Sequence, residues 1–291
     1  MKKKPETMTK NELLEQHMKA HPFLEETGHL FLSLQAVLAD TVTPVELPEA
    51  DECRALVKDG VPLLQHPVLH KTIVKVAAAV LPDVLEASDR IEAPAQMQKA
   101  LDDWRIWVGE TSLREVQEFF SQLIEQKDEE IHHLAEMARL HESLLRLIGW
   151  GIIDALIPAE VKAASFWEGA WKRNYCPVCG RQPVMAQLRK ESEANGAERY
   201  LSCGGCHTQW HFTRIGCVYC GCKDTEKLPL LVPDEGSVRL DTCDECHSYI
   251  KTYVGHGQED IYLQDWTTLH LDVLGEEKGL SKKGNVLLAN G

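Results

Sequence analysis

Eight of the ten cysteines fall between Cys176 and Cys246, as four CxxC pairs. They are Cys176/Cys179, Cys203/Cys206, Cys217/Cys220 and Cys243/Cys246. A CxxC turn points both sulfurs at one centre and aims backbone N–H groups at them. Two such clips joined by a hairpin close a tetrahedral site of four thiolates. Zinc and iron accept the same donor set, so the chemistry is metal binding with the ion left open.

The four clips are a duplication. Laid over each other at an offset of 40–41 residues, Cys176 and Cys179 match Cys217 and Cys220, and Cys203 and Cys206 match Cys243 and Cys246. Gly follows the first and third clips, and His follows the second and fourth. The gaps are alike, with 23 residues between Cys179 and Cys203 and 22 between Cys220 and Cys243. Each gap suits a hairpin, with turn signals at Glu191–Ala197 and Pro233–Ser237. Sequential pairing therefore gives one site of Cys176, Cys179, Cys203 and Cys206 and another of Cys217, Cys220, Cys243 and Cys246. Interleaving the first clip with the third is the alternative. Disulfides are the competing use of these cysteines. They are disfavoured because no apolar run follows the basic Met1–Lys4 to mark export, which places the chain in a reducing cytoplasm.

Other groups near the clips are weaker candidates. His207 and His247 follow a clip and are expected to hydrogen-bond or face water rather than bind metal. Cys222 has Arg181 as its counterpart, so the duplicated design does not require it. His211 has Lys251 as its counterpart and is specific to the first half. His132-His133 sits on a charged stretch and reads as a solvated face. Cys53 reads as an isolated packed thiol.

The elements that must carry the ribbons are read from periodicity. Residues 1–170 look helical throughout, a bundle of about seven helices. Thr9 and Glu12 have the form of a capping box. Leu30, Phe31, Leu34, Val37 and Leu38 recur at helical spacing over 23–40, and Thr41–Pro48 is a linker. A helix over 65–80 ends at Pro82. Met97, Leu101, Trp104 and Val108 mark another, and Ser112 caps the next. A helix over 131–148 breaks at Gly149–Gly151, and 152–171 forms the last. The ribbon block follows, with short strands at 200–202 and 210–215. Only ten residues join Cys206 to Cys217, so the ribbons must abut. Residues 260–276 form one more helix, and 279–291 a loose tail. The fold class is thus α+β: a helical domain (1–170), two metal-binding ribbons (171–214 and 215–256), and a C-terminal helix with tail (257–291).

Charge narrows the partner. The chain carries a net −14. Between Trp171 and His256 there are 11 Lys/Arg and 10 Asp/Glu, so the ribbon block offers no basic face for phosphates. A nucleic-acid ribbon is accordingly disfavoured, no apolar run is long enough for a membrane span, and no P-loop, GxGxxG or HExxH motif is present.

The run Tyr175-CPVCG-Arg-Gln-Pro-Val, then Arg199-Tyr-Leu-Ser-CGGC-His-Thr-Gln-Trp-His, then CVYC and CDEC-His-Ser-Tyr-Ile-Lys, resembles the formate dehydrogenase accessory family FdhE. The likeness covers the ribbon block and all four clips, and extends weakly to the helical half. It implies a helical domain followed by two rubredoxin-like units, with rubredoxin-type iron on the eight cysteines. It also implies a role in assembling a respiratory formate dehydrogenase in the cytoplasm, with contact to that enzyme's catalytic subunit. Cys222 and the short tail depart from the family pattern. A redox role for the sites and a nucleic-acid role are the alternatives. Four thiolates around one ion leave no position open for substrate, so catalysis by the metal is not expected.

Overall fold

The computed structural model describes Glu12, Glu15, Met18, Lys19, Pro22 and residues 25–91, 93–190, 196–233, 237–255 and 261–285. The capping Thr9, most of both hairpin turns (191–195 and 234–236) and the tail from 286 lie outside them.

Seven α-helices occupy residues 25–156: α1 (Glu25–Thr41), α2 (Ala50–Asp59), α3 (Pro67–Ala87), α4 (Ala95–Glu110), α5 (Leu113–Ile124), α6 (Asp128–Ala138) and α7 (Glu142–Leu156). Ser112 caps α5: its Oγ accepts from the Glu115 N–H, and Glu115 accepts from the Ser112 N–H. The long helix α3 forms the middle of the bundle, packing against α1, α4, α5 and α7.

Three expectations about helix ends are corrected. Pro82 does not end α3, which runs on to Ala87. A proline inside a helix costs about 3 kcal/mol. Continuing the helix buries Leu81, Val84 and Leu85, each no more than 1% exposed, and full burial of such side chains is worth roughly 1.5–3 kcal/mol apiece. Burial wins, and Pro82 itself faces solvent. Gly149 and Gly151 do not break a helix either; both lie within α7. A Cβ on Gly149 would stand 2.5 Å from Leu123 Cδ1, and one on Gly151 would stand 2.8 Å from Leu38 Cδ1. These glycines let α5 and α1 approach α7. The break comes earlier, at Arg139, which takes a left-handed conformation after α6. Finally, no helix spans 152–171: α7 stops at Leu156, and two short 3₁₀ turns follow, Ala159–Lys162 and Ala164–Trp167.

A seven-stranded sheet comes next: β1 (Pro183–Lys190), β2 (Ala197–Cys203), β3 (Gln209–Phe212), β4 (Leu230–Leu231), β5 (Val238–Cys243), β6 (Ser248–Gly255) and β7 (Ser281–Lys282). Its order is β3-β2-β1-β6-β5-β4, with β7 beside β6. Each ribbon is an antiparallel meander. They join through the parallel pairing of β1 with β6, Met185 opposite Lys251 through Arg189 opposite Gly255. The ribbons abut as the short connection requires, as one continuous sheet. Under the duplication β1, β2 and β3 correspond to β4, β5 and β6. The first strand of one ribbon therefore meets the third strand of the other, a head-to-tail junction.

Two C-terminal helices, α8 (Ile261–Thr267) and α9 (Leu269–Glu277), replace the single helix expected. The break is at Thr268, whose Oγ1 donates to the Gln264 carbonyl at 2.6 Å. Both helices are tied to the second ribbon by a buried ion network. Lys251 Nζ, fully buried, lies 2.8 Å from Asp265 and 2.7 Å from Asp272, and Lys282 reaches the same two carboxylates. The fold is α+β: a helical N-terminal region, then a sheet region holding two groups of four cysteines.

Candidate metal centres

The clips are built by backbone conformation. The residue after every clip has positive φ: Gly180 77°, His207 54°, Gly221 77° and His247 50°. Glycine takes this conformation without strain, and histidine tolerates it better than most residues. That alternation of Gly and His is therefore the mark of a turn. The turn carries N–H groups toward sulfur. Val178 N–H donates to Cys176 Sγ at 3.4 Å, Gly205 N–H to Cys203 Sγ at 3.4 Å, and Tyr219 N–H to Cys217 Sγ at 3.4 Å. The duplication extends to side chains, since Thr208 Oγ1 lies 3.1 Å from Cys206 Sγ and Ser248 Oγ lies 3.0 Å from Cys246 Sγ.

The sulfurs converge in two groups, Cys176, Cys179, Cys203 and Cys206, and Cys217, Cys220, Cys243 and Cys246. Within each group all four Sγ atoms lie within 4.8 Å of one another. In the first, Cys179–Cys203 is 3.3 Å and Cys176–Cys206 is 3.5 Å; in the second, Cys217–Cys246 is 3.6 Å and Cys220–Cys243 is 3.7 Å. A tetrahedral ion with metal–sulfur bonds of about 2.3 Å sets its sulfurs about 3.8 Å apart. Each group can therefore hold one metal ion with little adjustment.

Electrostatics point the same way. Burial, with the neighbouring sulfurs, pushes the Cys176 and Cys179 thiols well up. Burial also opposes a Cys203 thiolate, but hydrogen bonds from Cys176, Cys179 and Cys206 outweigh it and hold Cys203 low. In the second group Cys243 is pushed up to about 12, chiefly by burial, while Ser248 and the other sulfurs hold Cys246 down against it. Burial thus works against carrying four thiolates together in either group. A cation is what makes four thiolates favourable together.

The two groups differ in their surroundings. The first is fully enclosed. The N–H groups of Leu63 and Leu64 donate to the carbonyls of Pro177 and Val178 inside its first clip, at 2.9 and 2.8 Å. Arg181, just past that clip, is buried beneath the Trp150 ring and stands 3.7 Å from Asp128. His207, just past the second clip, holds Asp154 of α7 at 3.0 Å. The second group is covered only in part: Asn174 Nδ2 donates to the Val218 carbonyl inside its first clip at 3.0 Å, but Cys220 is exposed and Cys246 is half-buried.

Cys222 is half-buried and stands outside both groups, holding the clip turn through its carbonyl, which accepts from the Cys217 N–H. His247 is exposed. His211 is exposed, with its ring edge-on to Tyr200. His132 is exposed and paired with Glu142 and Glu136. Cys53 is buried, 3.6 Å from the Pro48 carbonyl. Sequence reasoning missed Arg181 and Asp154 as the ties to the bundle; the signal available was that Arg181 has no charged counterpart in the second half.

Residues 175–214 match the family model described as FdhE, central domain, and residues 215–288 match FdhE, C-terminal domain. Among curated proteins, the chain is 29% identical over 148 residues to a Protein FdhE homolog of Aquifex aeolicus, 49% of this chain and 51% of the relative. It is 34% identical over 110 residues to a Protein FdhE homolog of Shewanella oneidensis, 37% of this chain and 36% of the relative. It is 30% identical over 137 residues to Protein FdhE of Escherichia coli, 46% of this chain and 42% of the relative. The matched segments thus span about half or less of these curated relatives. The crystal structure of the FdhE protein from Pseudomonas aeruginosa shares the fold, with TM-score 0.67 and 24% identity over 97% of this chain and 95% of that one.

Proposed function

Because residues 175–288 carry the central and C-terminal domains of the FdhE family, we propose that the chain is an accessory protein in the maturation of a formate dehydrogenase. In this reading the eight clustered cysteines ligate two metal ions, iron or zinc. A bound ion supplies charge balance and, if it is iron, one-electron chemistry. The chain's own residues enclose the sulfurs and present the ribbons to a partner, the catalytic subunit of that enzyme, in the cytoplasm. The division into a helical unit (1–170), two ribbons (171–214 and 215–256) and a C-terminal segment (257–291) belongs to the same proposal. The observation that carries the reading is the pair of tetracysteine groups on one rigid sheet in a sequence matching those two domains.

Catalysis by the metal is not part of this function, since four sulfurs leave no position for substrate. The near-neutral ribbon block weighs against nucleic acid, and among the described residues no helix is long and apolar enough to cross a membrane. The test is anaerobic co-purification of the full chain with the catalytic subunit. A stable complex supports the proposal, and its absence under those conditions defeats it.

A redox reading is favoured by one specific observation, the solvent-open second group. Visible spectroscopy of protein purified without oxygen decides it. A reversible absorbance that bleaches on reduction supports electron exchange; a colourless protein holding only zinc removes it.

A further inference from the structure

A cleft of about 220 Å³ opens beside the junction of the ribbons, between one face of the sheet and the segment from Arg214 to Tyr219. Leu188, Ile215, Leu228, Leu230 and Ile250 supply apolar walls. Three arginines, Arg199, Arg214 and Arg239, and one acidic residue, Asp241, also line it.

Arg199 is 3% exposed. Its Nη1 donates to the Gly216 carbonyl at 2.9 Å and approaches that of Arg214 at 3.4 Å. Its Nη2 stands 3.6 Å from Asp241 Oδ2, too far for a hydrogen bond. Its Nε has no hydrogen-bond partner among the described residues. Asp241 is already engaged: Oδ1 accepts from Arg239 Nε at 2.8 Å, and Oδ2 accepts from Thr252 Oγ1 at 2.9 Å. One carboxylate thus faces two guanidiniums, those of Arg199 and Arg239, and the buried Arg199 Nε beneath the cleft wall makes no hydrogen bond among the described residues. A buried donor left unpaired costs about 1–3 kcal/mol. An incoming acceptor would remove that cost.

We propose that this cleft binds a carboxylate attached to a short aliphatic group. A guanidinium fork matches a carboxylate in shape and charge, and the apolar walls take the aliphatic part. The volume is that of about seven waters, which limits the occupant to one residue-sized group. Two sources present this chemistry, a free branched-chain acid and the C-terminal aliphatic residue of a polypeptide. Binding does not depend on which enzyme the chain serves.

The test is a ¹H–¹⁵N NMR titration of the metal-loaded full chain with isovalerate, N-acetyl-leucine and N-acetyl-leucine amide. Both acids are expected to shift the amide signals of Gly216, Arg239 and Ile250. The uncharged amide should bind at least about tenfold more weakly, the loss expected when one charged hydrogen bond goes. Arg239→Gln should weaken both acids by a similar factor. Ile215→Glu places a repelling carboxylate at an exposed position on the rim and should do the same without removing a buried partner. Tighter binding of N-acetyl-leucine than of isovalerate assigns the cleft to a chain terminus, and the reverse assigns it to a free acid. Equal binding of acid and amide, or no shifts at millimolar acid, overturns the proposal. The guanidiniums would then serve only to offset the negative charge of the Cys217 group beside them.

Discussion

The two tetracysteine groups share the turn after each clip, an N–H donated to the first sulfur and a hydroxyl beside the last cysteine, yet one is sealed and the other partly open. The difference is made by what packs outside the turn. The first ribbon lays both clips against the helical bundle, where Leu63, Leu64, Trp150 and Asp154 meet them. The second packs its first clip against Asn174 and Pro183 but leaves Cys220 and most of its second clip in solvent, and its sheet face is covered by α8 and α9. Duplication has copied a metal ribbon, and the surroundings have given the copies different exposure. The enclosed copy joins two regions of the molecule. The open copy is the one a partner or an electron can reach.

The largest effect should come from removing a cysteine in each group. A tetrathiolate site contributes on the order of 10 kcal/mol to the segment it closes, so Cys176→Ala and Cys217→Ala should each lose one metal per chain. Their reach should differ. Cys176→Ala should also lower the midpoint of helical unfolding, because its clip is hydrogen-bonded to residues 63 and 64. Cys217→Ala should leave that transition in place. Thermal circular dichroism with metal analysis reads both, and equal helical destabilisation would erase the distinction between joining and open sites. The same contrast should appear in kinetics. Among the eight clustered cysteines, a thiol-alkylating reagent should modify Cys220 first and release half the metal in an early phase, with the first group protected until the chain unfolds.

A second contrast lies within the sheet, where His211 and Lys251 are counterparts. His211 faces solvent, and its replacement by alanine should change stability by no more than about 0.5 kcal/mol. Lys251→Ala leaves Asp265 with Lys282 and Asp272 with Lys282 and the Tyr249 hydroxyl, and breaking such a buried pair typically costs about 3–5 kcal/mol. Chemical denaturation compares them. Acid should act on the same network. Burial alone would raise the Asp265 carboxyl, but Lys282 and Lys251 outweigh it and hold it below the ordinary range. A depressed carboxyl stabilises the fold fully above its unfolded value, about 3.9, and that contribution is lost as pH falls through the lower folded value. Asp265→Asn should flatten the loss of stability below about pH 4.

Much of this was readable in the sequence because the governing signals are local. CxxC spacing, the 40–41 offset and the Gly/His alternation depend on turns only a few residues long. The capping Ser112 is equally local. The failures came where distant packing overrides a local rule. Pro82 reads as a stop unless Leu81, Val84 and Leu85 are known to meet a core. Gly149 and Gly151 read as breakers unless Leu123 and Leu38 are known to press on them. The cover was legible in part: the three covered clips enclose Pro-Val, Gly-Gly and Val-Tyr, and the exposed one encloses Asp-Glu. Small and apolar residues inside a clip mark a turn with a neighbour against it, and acidic ones mark a turn in water.

That signal makes the smallest and most specific prediction. A Cβ on Gly205 would stand 3.0 Å from Trp150 Cε3, so the Trp150 ring must give way for any larger residue. Its counterpart Glu245 is exposed and paired with Lys227 at the surface. Gly205→Ala should cost about 1–3 kcal/mol by overpacking and should slow reassembly of the first group after metal is restored. Glu245→Ala should cost no more than about 1 kcal/mol, since exposed ion pairs contribute little. The pair of variants separates cover from clip chemistry, because each leaves all eight sulfurs and both turns in place. If Gly205→Ala and Glu245→Ala proved equally mild, the glycine pair would serve the turn alone, and the sealing of the first group would rest on Arg181, His207 and the carbonyls of its first clip.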